Sequence, residues 1–568
     1  MANENIVVDD GRAKWSDLWL KEDYWAIWIG FFILIISGLI MMGGRADIEA
    51  QLSKYDAVIA AEKAKPIKTI ELIQAQAAKK GVAGNKLPAA KAIISYLKTP
   101  AKWSGNPMDS FVTHMDESAK PAAEAAAKAA AEALTVAKAA QDAASAASFQ
   151  NADLNKAAET AIAAWQKADS DAAKAKAKVG SDTNLIPGLI ILGISLGVIT
   201  AVGMGVMGFN VVQYFIGFLG VYALCLFANF LGGYKPTATY GLNAEIWSII
   251  VGMVVANTIG TPKWMKPAVQ VEYFIKAGLV LLGAEVLFNK ILAIGIPGIF
   301  VAWVVTPIVL VSTYIFGQTV LKMPSRTLNI TISADMSVCG TSAAIAVAAA
   351  CRAKKEELTL SVGLSMVFTA IMMIVMPAFI KAVGMPEVLG GAWIGGTIDA
   401  TGSVAAAGAF IGPKALQVAA TIKMIQNVLI GVSAFCVAIY FATKVEAHEE
   451  GVKVGPMEIW NRFPKFVIGF LTASIVLSTI AGNLGADLGN ALISNGTNKI
   501  TVPLRGWFFA LAFISIGLAT NFKELASYFK GGKPIILYVC GQSFNLALTL
   551  LMAWIMFYKV FPEITASI

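Results

Sequence analysis

The sequence predicts an all-α polytopic membrane protein in which two helices are interrupted by polar residues and an alanine-rich helical insertion stands outside the bilayer. Three observations carry that prediction. The chain is 57% hydrophobic and 14% charged, with a mean hydropathy of +0.66; soluble domains carry about 25% charged residues, so water is not the solvent for most of this surface. Apolar runs approaching the length a bilayer requires, about 20 residues, recur along the second two-thirds of the chain. Between the first run and the rest lies a long polar stretch rich in alanine, lysine and glutamate, which are strong helix formers.

Residues 1–24 are polar and largely acidic, and the first apolar run, Tyr24 to Met42, is not followed by a small-residue cleavage site. It reads as an uncleaved anchor over 25–43. The insertion at 44–184 follows. Its second half reads AAEAAAKAAAEALTVAKAAQDAASAASFQ and then LNKAAETAIAAWQKADSDAAKAKAKV, with Asn151 and Asp153 offering a break and a cap between them. This predicts an antiparallel helical hairpin with alanine at the contact, packed on shorter helices of residues 46–98. Such an element serves as a solvated spacer, a coiled-coil stalk or a surface for self-association, and homo-oligomerisation is left open.

The remainder, 185–568, is the multi-span domain. Its apolar runs fall at 186–206, 211–231, 244–258, 272–290, 294–317, 328–350, 358–381, 389–411, 415–442, 465–484, 503–521 and 534–558. Short-loop lysines and arginines set orientation. If every run crosses once, one side collects the larger share, including Arg12, Lys14, Lys21, Arg326, Arg462 and Lys533. That side is expected to be cytoplasmic, with the N-terminus inside and 44–184 outside. Arg352, Lys354 and Lys355 object, so either 328–350 does not cross fully or a neighbour is re-entrant.

Net charge is +8; in a membrane chain this records the cytoplasmic lysines and arginines, and no nucleic-acid partner is expected. The five cysteines, Cys225, Cys339, Cys351, Cys436 and Cys540, lie in or beside apolar runs and form neither a disulfide framework nor a metal-ligand pattern. The two histidines, His114 and His448, fall outside the runs, so neither a zinc motif nor a serine–histidine pair is available. No enzyme, cofactor or metal is expected.

The chemistry concentrates in two segments. Asp335 to Ala346 reads DMSVCGTSAAIA, an acid, a thiol, hydroxyls and a glycine where a lipid-facing helix would carry leucine. Irregular backbone at bilayer depth survives only beside protein or a water-filled cavity. A break at Cys339, Gly340, Thr341 and Ser342 would aim the amides of the following helix at a bound anion. Gly395 to Ala407 reads GGTIDATGSVAAA and sets Asp399 before Thr401, Gly402 and Ser403 in the same manner. Paired interrupted segments point to a transporter site at the midplane; two small-residue packing helices are the alternative. Charges inside spans cost about 3 kcal/mol at the centre, which singles out Glu285, Asp335, Asp399 and Lys423. Lys423, Gln426 and Asn427 share one helix face, where the lysine neutralises an anion or pairs with Asp335 or Asp399. Glu285 is expected in the interfacial region. A weak likeness between 278–289 and 512–523, with Gly283 matching Gly517, suggests an inverted repeat.

At these residues the sequence resembles the sulfate exporter family, the YeiH-type bacterial membrane transporters. The likeness runs through most of 185–559 and includes Gly241 to Trp247 (GLNAEIW), Val271 to Ala284 (VEYFIKAGLVLLGA), Ser337 to Ala346 and Ala420 to Asn427 (ATIKMIQN). The resemblance implies a multi-pass protein of the bacterial inner membrane, with two inverted repeats and crossing broken helices. The 44–184 insertion departs from shorter members. The expectation is a carrier of a sulfate, sulfite or sulfonate-like anion. Cys339 to Ser342, Thr401 to Ser403, Lys423, Gln426 and Asn427 would hold the anion, and Asp335 and Asp399 a coupling proton or sodium ion. A sodium–proton antiporter and a non-transporting sensor or scaffold built on the outer hairpin are the rivals.

Overall fold

The computed structural model describes residues 15–238, 244–285, 288–445, 465–523 and 532–568. Arg12, Lys14, His448, Arg462 and the Gly241–Asn243 part of the GLNAEIW segment lie outside the described residues. The chain is an all-α polytopic membrane protein. Eleven described helices are long and apolar enough to cross a bilayer, from Glu22–Gly43 to Gly532–Val560, and Ala244–Thr258 and Thr401–Ile411 are shorter apolar helices. Two compact units are present, one of residues 1–33, 193–478 and 504–568, the other of 34–192 and 479–503.

The second unit holds the helical insertion. Lys120–Ala146 and Ala152–Val179 pack along their lengths, joined by a short turn in which Asn151 caps the second helix by accepting from the Asp153 and Leu154 amides at 3.0 and 3.2 Å. Small residues make the seam, since Ala137, Ala144 and Ala158 are fully buried, with Ile162, Trp165 and Ile70 completing the core. Gln141 ties the hairpin to the shorter helix Ile70–Lys80, accepting from the Ile70 amide and donating to Glu71 at 2.7 Å each. A two-stranded antiparallel pairing of Val112–Thr113 with Thr183–Asn184 closes the open end of the hairpin. Within this unit Lys79 bridges Asp56 at 2.5 Å and Asp487 at 2.6 Å, and the two carboxylates raise its pKa above the ordinary lysine value. Burial works to raise the Glu62 pKa, but hydrogen bonds from Lys65 and Thr69 outweigh it and hold the carboxyl below its usual range.

The first unit is built on close helix contacts that small residues permit. A methyl group on Gly252 would stand 2.8 Å from the Gly517 Cα, so Ala244–Thr258 meets the Asn498–Ala519 helix backbone to backbone. Two described helix pairs of this unit are broken by polar, glycine-containing segments. Arg326–Ala334 runs through a wide π turn, Asp335–Cys339, into a second helix, Gly340–Ala350. At the break Cys339 leaves helical geometry, with φ −158° and ψ 81°. Glu387–Thr397 is separated from Thr401–Ile411 by an extended step through Ile398 and Ala400. Both interruptions fall where the polar, glycine-containing segments stand in the sequence.

Candidate functional site

The two breaks lie against each other. A methyl group at Gly340 would stand 3.1 Å from Ser365 Oγ, 3.5 Å from Asp399 Cβ and 3.7 Å from Asp335 Oδ1. Each break divides its helix into a leading half, whose last carbonyls lose their intrahelical partners, and a trailing half, whose first amides do. The two sets meet different fates.

The carbonyl ends are satisfied by side chains from two neighbouring helices. From Pro413–Asn427, Lys423 Nζ donates to Val338 O at 2.7 Å, and Gln426 Nε2 reaches Ser337 O at 3.0 Å and Gly396 O at 3.2 Å. From Gly532–Trp554, Gln542 Nε2 donates to Thr397 O and Asn545 Nδ2 to Met336 O, both at 3.1 Å. Lys423 also donates to Gln426 Oε1 at 2.8 Å. Gln426 thus serves both breaks, while Lys423 and Asn545 hold the first and Gln542 the second.

The amide ends face a cavity. Gly340–Ala350 and Thr401–Ile411 both start without a side-chain cap. A cavity of about 210 Å³ is lined at its inner end by Cys339, Thr341, Ser342, Asp399, Thr401 and Asn427. It runs from exposed Lys21, past Glu272 and Lys276, to Asp399, which is 1% exposed. Thr341 and Ser342 are exposed, although they sit within a mostly buried span; the cavity accounts for this, because hydroxyls at that depth need either protein or water. Asn427 Nδ2 donates to Thr401 Oγ1 at 3.2 Å and leaves Oδ1 without a partner.

The acids sit side by side, Asp399 at this surface and Asp335 behind it. Ser361 donates to Asp335 Oδ2 at 2.6 Å, while Asp335 Oδ1 has no hydrogen-bond partner. Ser365 donates to Asp399 Oδ2 at 3.3 Å, and Tyr538 donates to the same oxygen. All of these groups are buried.

The residues singled out in the sequence therefore divide. Cys339, Thr341, Ser342, Asp399, Thr401 and Asn427 line the cavity; Gly340, Gly402, Ser403, Asp335, Lys423 and Gln426 are buried around it without lining it. Lys423 makes its hydrogen bonds to the first break, where a pairing with Asp335, Asp399 or an anion was expected. Glu285 is another departure: it is not left to interfacial solvent but accepts from Arg505 Nε at 2.6 Å, with both side chains mostly buried.

Several partners carry no flag in the sequence reading. Ser361 and Ser365 sit one turn apart on Lys355–Ala382, and Tyr538, Gln542, Asn545 and Thr549 form one face of Gly532–Trp554. Their spacing of four, three and four residues within an apolar run was the available signal. Lys276 was another, a lysine inside an apolar run. It bridges Glu22 at 2.6 Å, Asp23 at 2.7 Å and Glu272 at 3.5 Å.

The family model described as conserved hypothetical protein 698 matches residues 216–538. Two proteins of Nitratidesulfovibrio vulgaris, each named UPF0324 membrane protein, are 58% and 59% identical to this chain, with 99% of both chains covered in each case. A UPF0324 membrane protein of Rhodopirellula baltica is 57% identical over 61% of this chain and 63% of its own. No solved structure matches.

Proposed function

The chain belongs to the conserved hypothetical protein 698 family of membrane proteins, and from that premise we propose that it is a secondary transporter of a small anion, working by alternating access. One observation carries the proposal: two half-helices begin, uncapped, at the same cavity within the multi-span unit. Each presents free amides and a partial positive charge there. The same arrangement holds anions at helix N-termini elsewhere, and in membranes discontinuous helices of this kind surround transported solutes.

In this reading the first-turn amides, with Thr341, Ser342, Thr401 and Asn427, grip the anion. Lys423 and Gln426 act through the breaks, keeping the backbone open by binding its carbonyls. Asp335, whose Oδ1 has no partner, and its neighbour Asp399 take a coupling proton or sodium ion. Coupling has a physical motive, since moving one charge against the membrane potential costs about 2.3 kcal/mol per 100 mV. Sulfate, sulfite and sulfonates are the anions to try first. The setting is the bacterial inner membrane, with the N-terminus cytoplasmic and residues 44–184 outside, as the lysine and arginine asymmetry indicates.

Counterflow in proteoliposomes tests the proposal. Saturable exchange of at least one of these anions is expected, with loss on Thr401→Val or Ser342→Ala. Absence of flux for every small anion, from protein that remains folded, would sink it. The adjacent Asp335 and Asp399 favour one rival, sodium–proton antiport. Sodium- or lithium-driven proton flux that needs no anion, and that Asp335→Asn abolishes, would favour that rival.

A further inference from the structure

We propose that the ligand of this cavity is a small zwitterion, an anionic head joined to an ammonium group, and not a bare oxyanion. The inference rests on the anion-carrier reading and narrows its substrate class.

The donors alone would suit any anion. Gly340–Ala350 and Thr401–Ile411 are each 11 residues long and start at the cavity with no side-chain cap, so their first amides await an acceptor. What selects among anions is the set of acceptors in the same space. Asp399 lines the cavity, and its carboxyl accepts from Ser365 and Tyr538 on the neighbouring helices. Asn427, 1% exposed, also lines it, with Nδ2 bonded to Thr401 and Oδ1 bonded to nothing. A buried oxygen without a donor is destabilising, and native structures rarely leave one so without a reason. An ammonium N–H on the ligand supplies the missing donor.

Charge points the same way. Among the described residues, four carboxyl groups and three lysines line the cavity. Of these lysines, Lys276 is held by Glu22, Asp23 and Glu272 and Lys21 by Asp17; Lys423 lies behind the cavity without lining it and donates to Val338 O and Gln426. A dianion would meet two helix termini but also Asp399, whose like charge repels it. A zwitterion places its negative end on the amides and its positive end toward Asp399 and Asn427, so the uncapped amides and Asn427 Oδ1 both gain a partner.

The test compares matched ligands that differ only in the ammonium group. Purified full-length protein is titrated in thermal-shift assays with 2-aminoethanesulfonate against ethanesulfonate, 3-aminopropanoate against propanoate, and sulfate. Ligands that bind the native state raise its melting temperature by an amount that grows with the logarithm of their affinity. In at least one pair the amine is expected to bind roughly 10- to 100-fold more tightly, the discrimination that a charged hydrogen bond gives. Asp399→Asn should then shrink that gap. Because the wild-type pairs carry the decision, a poorly folding variant would not block it. Equal or tighter binding by the ammonium-free members, or by sulfate, overturns the zwitterion and leaves the anion carrier standing. Binding by none of the five overturns both.

Discussion

Replacing Lys423 with methionine separates a residue that shapes the site from one that touches the solute. The ammonium makes two hydrogen bonds, to Val338 O at 2.7 Å and to Gln426 Oε1 at 2.8 Å, and the side chain is 1% exposed. Hydrogen bonds to charged groups contribute about 1.5–3 kcal/mol each. Loss of both, offset in part because a buried charge is also removed, leaves a net cost of about 2–4 kcal/mol. For a unit of this size that is an apparent melting temperature lower by about 2–5 °C. The anion dissociation constant should change less than about tenfold, under 1.4 kcal/mol, because the ammonium does not line the cavity. Gln426→Leu should also destabilise, and the double variant should fall short of the summed effects, since the two side chains share a bond. Melting curves and ligand titrations on the same preparations make the check. An unmoved melting temperature together with affinity weakened far beyond tenfold would show that the ammonium acts on the solute directly, and the reasoning would fail.

Three further outcomes follow from other parts of the molecule. Cys339 lines the cavity, so in a Cys436→Ser/Cys540→Ser background a small charged methanethiosulfonate should modify it, as read by mass spectrometry, and a bound ligand should slow the reaction. Arg505→Met should destabilise by about 2–3 kcal/mol, somewhat less than the 3–5 kcal/mol for a fully buried pair; adding Glu285→Gln should recover part of the loss in the same melting assay. Glu62 has a lowered folded pKa, so its contribution is present above the unfolded carboxyl value, about 4.3, and is lost as pH falls through the folded value. Glu62→Gln should therefore cost under about 1 kcal/mol at pH 7 and progressively less in acid, measured by hydrogen exchange over residues 45–184 of the full chain.

Composition and local pattern carried the architecture a long way. Alanine-rich helices with Asn151 between them can hardly do other than fold back, and the hairpin core of Ala137, Ala144 and Ala158 follows. The breaks were legible because Cys339–Gly340 and Asp399–Ala400 put hydroxyls, acids and small residues where lipid would select leucine. What escaped was the pairing across distance. Nothing near Lys423 in the chain announces that its ammonium will cap Val338, 85 residues earlier. Glu285 sits at the end of an apolar run, where solvent is the local expectation, and its partner Arg505 lies 220 residues away. The Tyr538, Gln542, Asn545 and Thr549 face shows the right spacing, but that pattern in a membrane helix equally marks a packing seam, and only the neighbouring breaks give it a target.

The unequal treatment of the broken ends gives the site a built-in polarity. Five backbone oxygens at the two interruptions are consumed internally by Lys423, Gln426, Gln542 and Asn545, whereas the opposing nitrogens are left unspent. Had the carbonyls stayed vacant, the same gap would attract cations as readily as anions and discriminate poorly. Filling one set and leaving the other bare makes the backbone itself a sign filter. Because Gln426 is fastened to both interruptions at once, a tilt of either half must break one of these bonds or carry its counterpart along.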